Sequence, residues 1–146
     1  MERKDFLKIC GGTCLGLVGL SAVLQSCGTA YYAQGTVANN KLQISKTDFI
    51  KTNKEKTSVR KYVLVKPANS DFPIVVYRKN DTTFTALLLR CTHQSNELNV
   101  NGDILTCPAH GSEFSNTGEV IQGPAEQKLV SYPVTTDEKN IYIQLS

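Results

Sequence analysis

The sequence predicts an all-β domain built from small antiparallel sheets. Short runs of aliphatic, β-branched or aromatic residues recur along the body of the chain, and several alternate with polar residues. Turn sequences separate these runs, and no segment carries a convincing hydrophobic stripe with the helical period of 3.6 residues. Many short strands at close spacing are typical of a sandwich or a barrel. At 146 residues the chain has room for one ordinary domain.

The first 26 residues carry the features of a secretory signal peptide. Their charged start ends at Lys8 and is followed by an uncharged run over residues 9–26. This run has the minimum length for a membrane-spanning helix, but its glycines and polar residues make it less apolar than such a helix usually is. A signal peptide over residues 1–26 fits better, and a permanent N-terminal membrane anchor is the alternative. Residues 3–8 resemble a twin-arginine export signal in which Lys4 replaces the second arginine, so the export route is left open.

The end of this segment resembles a bacterial lipobox. Residues 24–28 read LQSCG, with leucine at −3, a small residue at −1 and the acceptor cysteine, Cys27, at +1. Gln25 departs from the usual pattern. The resemblance implies a lipoprotein whose two or more acyl chains hold it stably at a membrane; the alternative is that Cys27 is an apolar residue in a removed or buried helix. Residues 27–40 are small and polar, which predicts a lipid-anchored spacer, and the domain is predicted to occupy residues 41–146.

The strands of the domain are predicted from five apolar runs. These runs lie at residues 42–44, 62–65, 74–78, 84–90 and 141–145. The dipeptide Asn101-Gly102, flanked by Val100 and Ile104, predicts a tight hairpin in which both turn positions can need a positive φ. The charged stretch over residues 46–61 is compatible with a loop and with a short helix, and the sequence does not choose between them.

Composition and charge exclude several classes of function. The net charge is only +3, of which the first 26 residues contribute +1, from three basic against two acidic residues, and the remainder +2. That is too little positive charge, and too scattered, for a nucleic-acid binder, so we expect no nucleic-acid partner. Three cysteines lie near the N-terminus and two in the body, which is unlike the disulfide framework of a small secreted domain.

Two Cys-His pairs are the candidate functional residues. Cys91 precedes His93 by two positions, Cys107 precedes His110 by three, and the sequence contains no other histidine. Each pair follows an apparent strand or hairpin arm, so two loop tips can bring four metal ligands together. Two buried cysteines beside two unrelated surface histidines are the simplest alternative, but coincidence accounts poorly for this spacing. Zinc is one candidate metal, although loops that each supply one Cys and one His better suit a dinuclear site. In such a site, one iron takes both thiolates and the other takes both imidazoles.

The pattern C-x-H followed by C-x-x-H-G-S resembles that of the Rieske 2Fe–2S protein family. The resemblance extends over residues 62–145 and implies a Rieske-type domain of small antiparallel sheets with the cluster-binding loops at one tip. It implies one 2Fe–2S cluster. Cys91 and Cys107 would be the thiolate ligands of the inner iron, and His93 and His110 the imidazole ligands of the outer iron.

Residues near the ligands extend the resemblance and modify it. Gly111 and Ser112 follow the second histidine, and the sequence Gly-Pro-Ala centred on Pro124 resembles the proline-containing loop that covers the cluster. Ser112 matches a serine that donates to a cluster sulfide in high-potential members, whereas Phe114 replaces the tyrosine that donates to a ligand sulfur. The loop disulfide of respiratory members has no counterpart, because the ligand loops contain no further cysteine, as in Rieske-type ferredoxins.

The resemblance implies a protein that carries one electron without substrate chemistry of its own. We expect it to be tethered to a bacterial membrane on the extracytoplasmic side, facing the periplasm or the exterior. Its redox partner protein would be a cytochrome or a membrane oxidoreductase. The alternatives are a Rieske subunit of a larger membrane or respiratory oxidoreductase and a structural zinc-binding module. A Rieske oxygenase needs a further mononuclear iron, typically held by two histidines and a carboxylate. Both histidines of this sequence are already assigned to the cluster, so none is left to bind such an iron.

Overall fold

The computed structural model describes residues 29–145, which form an all-β domain as the sequence predicts. One four-residue 3-10 helix, η1 (Lys46–Phe49), is the only helical element among these residues, and none of their helices is long and apolar enough to cross a bilayer. The strands are β1 (Thr36–Ala38), β2 (Lys41–Ser45), β3 (Ile50–Asn53), β4 (Lys56–Val59), β5 (Tyr62–Val65), β6 (Ile74–Arg78), β7 (Phe84–Leu88), β8 (Asn99–Asn101), β9 (Ile104–Thr106), β10 (Glu113–Ser115), β11 (Val120–Gln122), β12 (Ser131–Tyr132), β13 (Val134–Thr136) and β14 (Asn140–Gln144).

The strands form three four-stranded antiparallel sheets and one separate hairpin. The terminal sheet has the order β1-β2-β14-β13, the central sheet β12-β7-β6-β5, and the loop sheet β11-β10-β9-β8. The separate hairpin pairs β3 with β4. The first and last long strands of the domain, β2 and β14, are therefore neighbours, and they close the chain back on itself.

The central sheet is buried on both faces, which explains why its strands read as continuous apolar runs. Along β6, Ile74 and Val76 belong to a core shared with the terminal sheet, and Val75 and Tyr77 belong to a core shared with the loop sheet. Fully burying an aliphatic side chain of this size contributes roughly 1.5–3 kcal/mol. The second of these cores also contains Cys91 and therefore supports the predicted site.

Residues 46–61, for which the sequence left a loop and a short helix open, contain η1 and the hairpin β3–β4. Ser45 caps η1, because its side-chain oxygen accepts from the Thr47 N–H at 3.2 Å. The Asp48 carboxylate in turn accepts from the Ser45 N–H at 3.1 Å, which completes a capping box. The charged composition of the segment follows from its position, since every residue of β3 and β4 is exposed.

The hairpin predicted at Asn101-Gly102 is present, with its turn one residue further along. Asn101 pairs with Ile104, so the turn residues are Gly102 and Asp103. Only Gly102 has a positive φ, 64°, as in the two-residue turns that take glycine at their first position.

Part of the segment predicted to be a spacer packs on the domain. The sequence assigned residues 27–40 to the spacer, but β1 lies within that segment and pairs with β2 of the domain. Ala33 is buried, and its N–H donates to the Leu64 carbonyl at 2.7 Å. The folded domain therefore begins before Lys41. The predicted signal peptide and Cys27 lie outside the described residues.

Gly35 marks a close crossing between this segment and the sheets. A Cβ at this position would lie 2.6 Å from the Leu42 side chain and 2.7 Å from that of Val65. Such distances are too short for real Cβ contacts, so only glycine fits without displacing its neighbours. The chain then turns through Asn39 and Asn40, whose φ values of 50° and 62° suit a tight two-residue hairpin.

Candidate metal centre

Two loops carry the four predicted ligands. The first ligand loop (residues 91–96) follows the central sheet, and the second ligand loop (residues 107–112) joins β9 to β10. In the first ligand loop, the Cys91 N–H donates to the Asn96 carbonyl at 2.8 Å. The Cys91 carbonyl accepts from the Ser95 N–H at 2.9 Å. These two bonds close a tight turn with the cysteine at its start.

The second ligand loop repeats the same backbone pattern. The Cys107 N–H donates to the Ser112 carbonyl at 2.8 Å, and the Cys107 carbonyl accepts from the Gly111 N–H at 3.0 Å. The residue four positions after each cysteine has a positive φ, 58° at Ser95 and 77° at Gly111. Glycine adopts this conformation freely, whereas the Ser95 side-chain oxygen accepts two hydrogen bonds from Arg90, at 3.0 and 2.9 Å. Each cysteine therefore occupies the same place in the same turn.

The two cysteines are buried and the two histidines are exposed. Cys91 is 1% exposed and Cys107 is 3% exposed, and both are free thiols within the same apolar core. The rings of His93 and His110 lie edge to face at the surface, with 5.0 Å between their centroids. The loops thus present a pair of sulfur ligands on the inside and a pair of imidazoles on the outside.

This donor set fits a two-iron centre. Among residues 29–145, no three His, Cys, Asp or Glu side chains converge as the ligands of a single metal ion would. A Rieske-type cluster takes its ligands in two pairs, thiolates at one iron and imidazoles at the other. A tetrahedral zinc ion would instead take all four at one point. The separation into a buried thiol pair and an exposed imidazole pair matches the first arrangement.

A third loop, the covering loop (residues 123–127), is bonded to both ligand loops. The Ala125 N–H donates to the Ser112 side-chain oxygen at 3.0 Å. The Thr92 hydroxyl donates to the Gln127 carbonyl at 2.6 Å. One bond from each ligand loop therefore involves the covering loop, which links the two ligand loops to each other. Sequence reasoning missed this brace, because Thr92 and Gln127 carry no motif and lie 35 positions apart.

The other predicted residue of the covering loop, Pro124, is exposed, and its neighbour Ala125 is buried. The peptide bond between Gly123 and Pro124 is cis. Just before this loop, the Gln122 side-chain amide donates to the Gly111 carbonyl at 3.1 Å. This hydrogen bond attaches the second ligand loop to β11, in addition to its bond with the covering loop.

The predicted tuning residues lie in the core beneath the ligand loops. Ser112 is fully buried, and it is the one polar residue buried among the described residues. Among the described residues, the Ser112 hydroxyl oxygen accepts a hydrogen bond from the Ala125 N–H and donates none. Its proton is therefore available for another acceptor. Phe114 is also fully buried, in the core that contains both cysteines, and it offers no donor.

A buried tyrosine holds the opposite end of the loop sheet. The Tyr77 hydroxyl donates to the Gly102 carbonyl at 2.8 Å. Burial raises the pKa of Tyr77 well above its usual range, with smaller contributions from Tyr62 and Asp103, so the hydroxyl keeps its proton in alkaline solution as well as at neutral pH. The β8–β9 turn is therefore fixed from within, and β9 leads from it to the second ligand loop.

Two similar loops of an all-β domain that hold buried thiols and surface imidazoles are typical of an iron–sulfur protein with both cysteine and histidine ligands. Residues 40–133 match the Rieske 2Fe–2S domain, and the chain belongs to this family. It accordingly carries a Rieske-type 2Fe–2S cluster and has an electron-transfer function. A comparison with curated proteins finds no match.

Solved structures superpose on part of this chain. The cyanobacterial plasma membrane Rieske protein PetC3 from Synechocystis PCC 6803 is 28% identical, with a TM-score of 0.49 over 57% of this chain and 85% of that one. A chain in the complex of reduced oxygenase and oxidized ferredoxin in carbazole 1,9a-dioxygenase is 27% identical, with a TM-score of 0.46 over 58% and 81%. Dicamba monooxygenase is 30% identical, with a TM-score of 0.42, and this chain covers 29% of its length. Membership of the family rests on the sequence match.

Proposed function

We propose that the protein is a membrane-tethered one-electron carrier whose cluster is held by Cys91, Cys107, His93 and His110. The observation that supports this ligand set best is the division of the four side chains into two buried thiols and two surface imidazoles with centroids 5.0 Å apart. When bound, the cluster supplies a reversible one-electron couple, which in this family lies between about −150 and +300 mV.

The surrounding residues have separate roles in this proposal. The two thiolates hold their iron inside the apolar core, away from water, and the two imidazoles form the surface on which a partner docks. Because two ligands are neutral imidazoles rather than thiolates, the site carries less negative charge and accepts an electron more readily. Ser112 directs its free hydroxyl proton to a sulfide, and the covering loop keeps the ligand loops in register.

The ligand assignment is tested by replacing each histidine with cysteine. His93→Cys and His110→Cys each put a thiolate in place of a neutral ligand, so we expect a strongly lowered potential or loss of the cluster. Gln94→Cys is the matched control, since it adds an exposed thiol to the first ligand loop without replacing a predicted ligand. The readouts are iron and sulfide content and the electron paramagnetic resonance spectrum. An unchanged spectrum in both histidine variants contradicts the assignment, and zinc without sulfide supports the structural zinc module.

The tether is proposed from the lipobox alone. Acylation of Cys27 would place the domain on the extracytoplasmic side of a bacterial membrane, facing the periplasm or the exterior. Mass spectrometry of the protein extracted from membranes should find diacylglycerol on Cys27, and an intact Met1 with an unmodified Cys27 would contradict it. Co-purification from native membranes then identifies the redox partner, for which a cytochrome or a membrane oxidoreductase is proposed, and distinguishes a free carrier from a subunit of a larger oxidoreductase.

A further inference from the structure

The hairpin β3–β4 stands outside the three larger sheets, with every residue of both strands exposed. A two-stranded hairpin is only marginally stable in water unless one face packs against something. The register pairs Lys51 with Ser58 and Asn53 with Lys56, so these four side chains share one face. The two lysines make that face cationic.

The charge of the domain is concentrated at this hairpin. Residues 51–61 contain five Lys or Arg against one Glu, a net charge of +4, which exceeds the +3 of the entire chain. Residues 90–128, which include both ligand loops, contain two basic against five acidic residues, a net charge of −3. Three exposed lysines of the hairpin form no ion pair with any described residue: Lys51, Lys54 and Lys56. The hairpin is thus a cationic surface, whereas the part of the chain that carries both ligand loops is acidic.

The beginning of the described chain lies against the same face. Residues 29–31 line a surface cavity of about 310 Å³ together with Lys51 and Arg60. The Arg60 guanidinium lies 4.1 Å from the ring centroid of Tyr31. The Tyr31 hydroxyl donates to Asp48 at 3.1 Å, so this acid is already engaged beside the cavity. These contacts fix the direction from which the chain enters the domain.

We infer that the basic face, defined here as Lys51 and Lys56 on the strands, Lys54 in the turn between them and Arg60 just after β4, docks on a bilayer surface containing anionic phospholipid. The inference rests on the proposed tether: Cys27 precedes Thr29 by two positions, and two residues span at most about 7 Å. An acyl anchor on Cys27 would therefore hold the basic face against the headgroups. Each basic side chain near an anionic surface strengthens the docked state roughly fivefold.

This docking sets the direction of the predicted cluster. Lys61, next to the basic face, pairs with Asp103 at 3.3 Å, at the turn between β8 and β9. From that turn β9 runs to Cys107, and its three residues span about 10 Å. The ligand loops consequently lie at the end of β9 opposite to the Lys61–Asp103 pair, where a partner with a water-exposed docking surface reaches them.

The test uses the full chain in nanodiscs of phosphatidylcholine alone or of phosphatidylcholine mixed with phosphatidylglycerol. We expect the amides of residues 51–58 to exchange hydrogen more slowly in the anionic discs only, and high salt to abolish the difference. The triple variant K51Q/K54Q/K56Q should weaken the docked state roughly a hundredfold and lose the protection. The matched control K66Q/K79Q/K128Q removes the same charge from exposed lysines elsewhere and should keep it.

Each outcome separates this inference from the proposed function. Equal exchange in both kinds of disc, or protection that survives the triple variant, overturns the docking while an intact cluster spectrum and an acylated Cys27 leave the carrier function standing. Protection in native membranes but in neither disc assigns the face to an acidic protein and also overturns it. If the chain does not stay in phosphatidylcholine discs, the proposed tether is wrong. The docking is then tested by flotation: binding to phosphatidylglycerol vesicles but not to phosphatidylcholine vesicles supports it. Binding to neither kind of vesicle overturns it.

Discussion

Replacing Ser112 with alanine tests the environment of the predicted cluster more directly than any other single change. The serine hydroxyl is fully buried, accepts from the Ala125 N–H at 3.0 Å, and has its own proton free. A hydrogen bond donated to a sulfide strengthens when the sulfur becomes more negative on reduction. A difference of about 1–2 kcal/mol, which lies between ordinary protein hydrogen bonds and those to charged groups, corresponds to about 45–90 mV for a one-electron couple, since 59 mV is a tenfold change. We therefore expect Ser112→Ala to lower the potential by that amount.

The same substitution has a second effect that must be measured separately. It leaves the N–H of Ala125, a buried residue, without its acceptor, which costs about 1–3 kcal/mol of folding free energy. Protein-film voltammetry gives the potential, and thermal denaturation of the same sample gives the stability. Thr92→Val is the matched control, because it removes the other bond to the covering loop without removing a donor to sulfur. It should lower stability and leave the potential almost unchanged.

Two results would refute the reasoning about Ser112. If Ser112→Ala leaves the potential unchanged, the free hydroxyl proton does not reach a sulfur that changes charge. If Thr92→Val lowers the potential as much as Ser112→Ala does, the shift comes from loosening of the covering loop and not from a lost donor.

Three further predictions concern the same core and the far end of the terminal sheet. Phe114→Tyr should raise the potential, measured by voltammetry, by tens of millivolts, because the new hydroxyl can donate to a ligand sulfur. An unchanged potential together with lower stability would mean that the hydroxyl is buried without a partner. Thr92→Val should shorten the lifetime of the cluster, followed by its visible absorption, whereas Thr92→Ser should preserve it because serine can still donate to Gln127; equal lifetimes in the two variants would contradict the brace. Hydrogen bonds from the Tyr142 hydroxyl and from two backbone N–H groups lower the pKa of Asp137 to about 2. The ionised Asp137 carboxylate therefore stabilises the fold above the ordinary carboxyl pKa, and this stabilisation is lost as the pH falls from about 4 towards 2. Tyr142→Phe should therefore lower the unfolding temperature at neutral pH by an amount that shrinks over that acidic range, and a difference that does not vary with pH would contradict it.

The sequence predicts the long strands well, because their signal is local. The runs at residues 62–65 and 74–78 coincide with β5 and β6, whose burial on both faces makes them continuously apolar. The run at residues 84–90 is longer than β7, which ends at Leu88. Beyond it the Leu89 N–H bonds to the Pro73 carbonyl, a partner that no local pattern indicates.

Elements stabilised by distant contacts are harder to predict. The hairpin β3–β4 is fully exposed, so its composition lacks the apolar alternation of a half-buried strand. The strand β1 was hidden in a segment of small and polar residues, although Asn39-Asn40 offered a turn signal of the kind that favours positive φ. The spacing of the two Cys-His pairs indicated a common site, but the equivalence of the two loop turns depends on backbone bonds that spacing alone does not specify.

The packing of residues 31–38 has a practical consequence for any shortened form of this protein. The family match begins at residue 40, and a fragment that starts at that boundary would lose β1. The strand β2 would then become an exposed edge with unpaired backbone groups, which is a template for intermolecular pairing and aggregation. Removal of Gly35 would also uncover Leu42 and Val65, which are otherwise fully buried. A monodisperse soluble fragment should therefore start no later than Tyr31, so that β1 still pairs with β2 and Gly35 still covers the core.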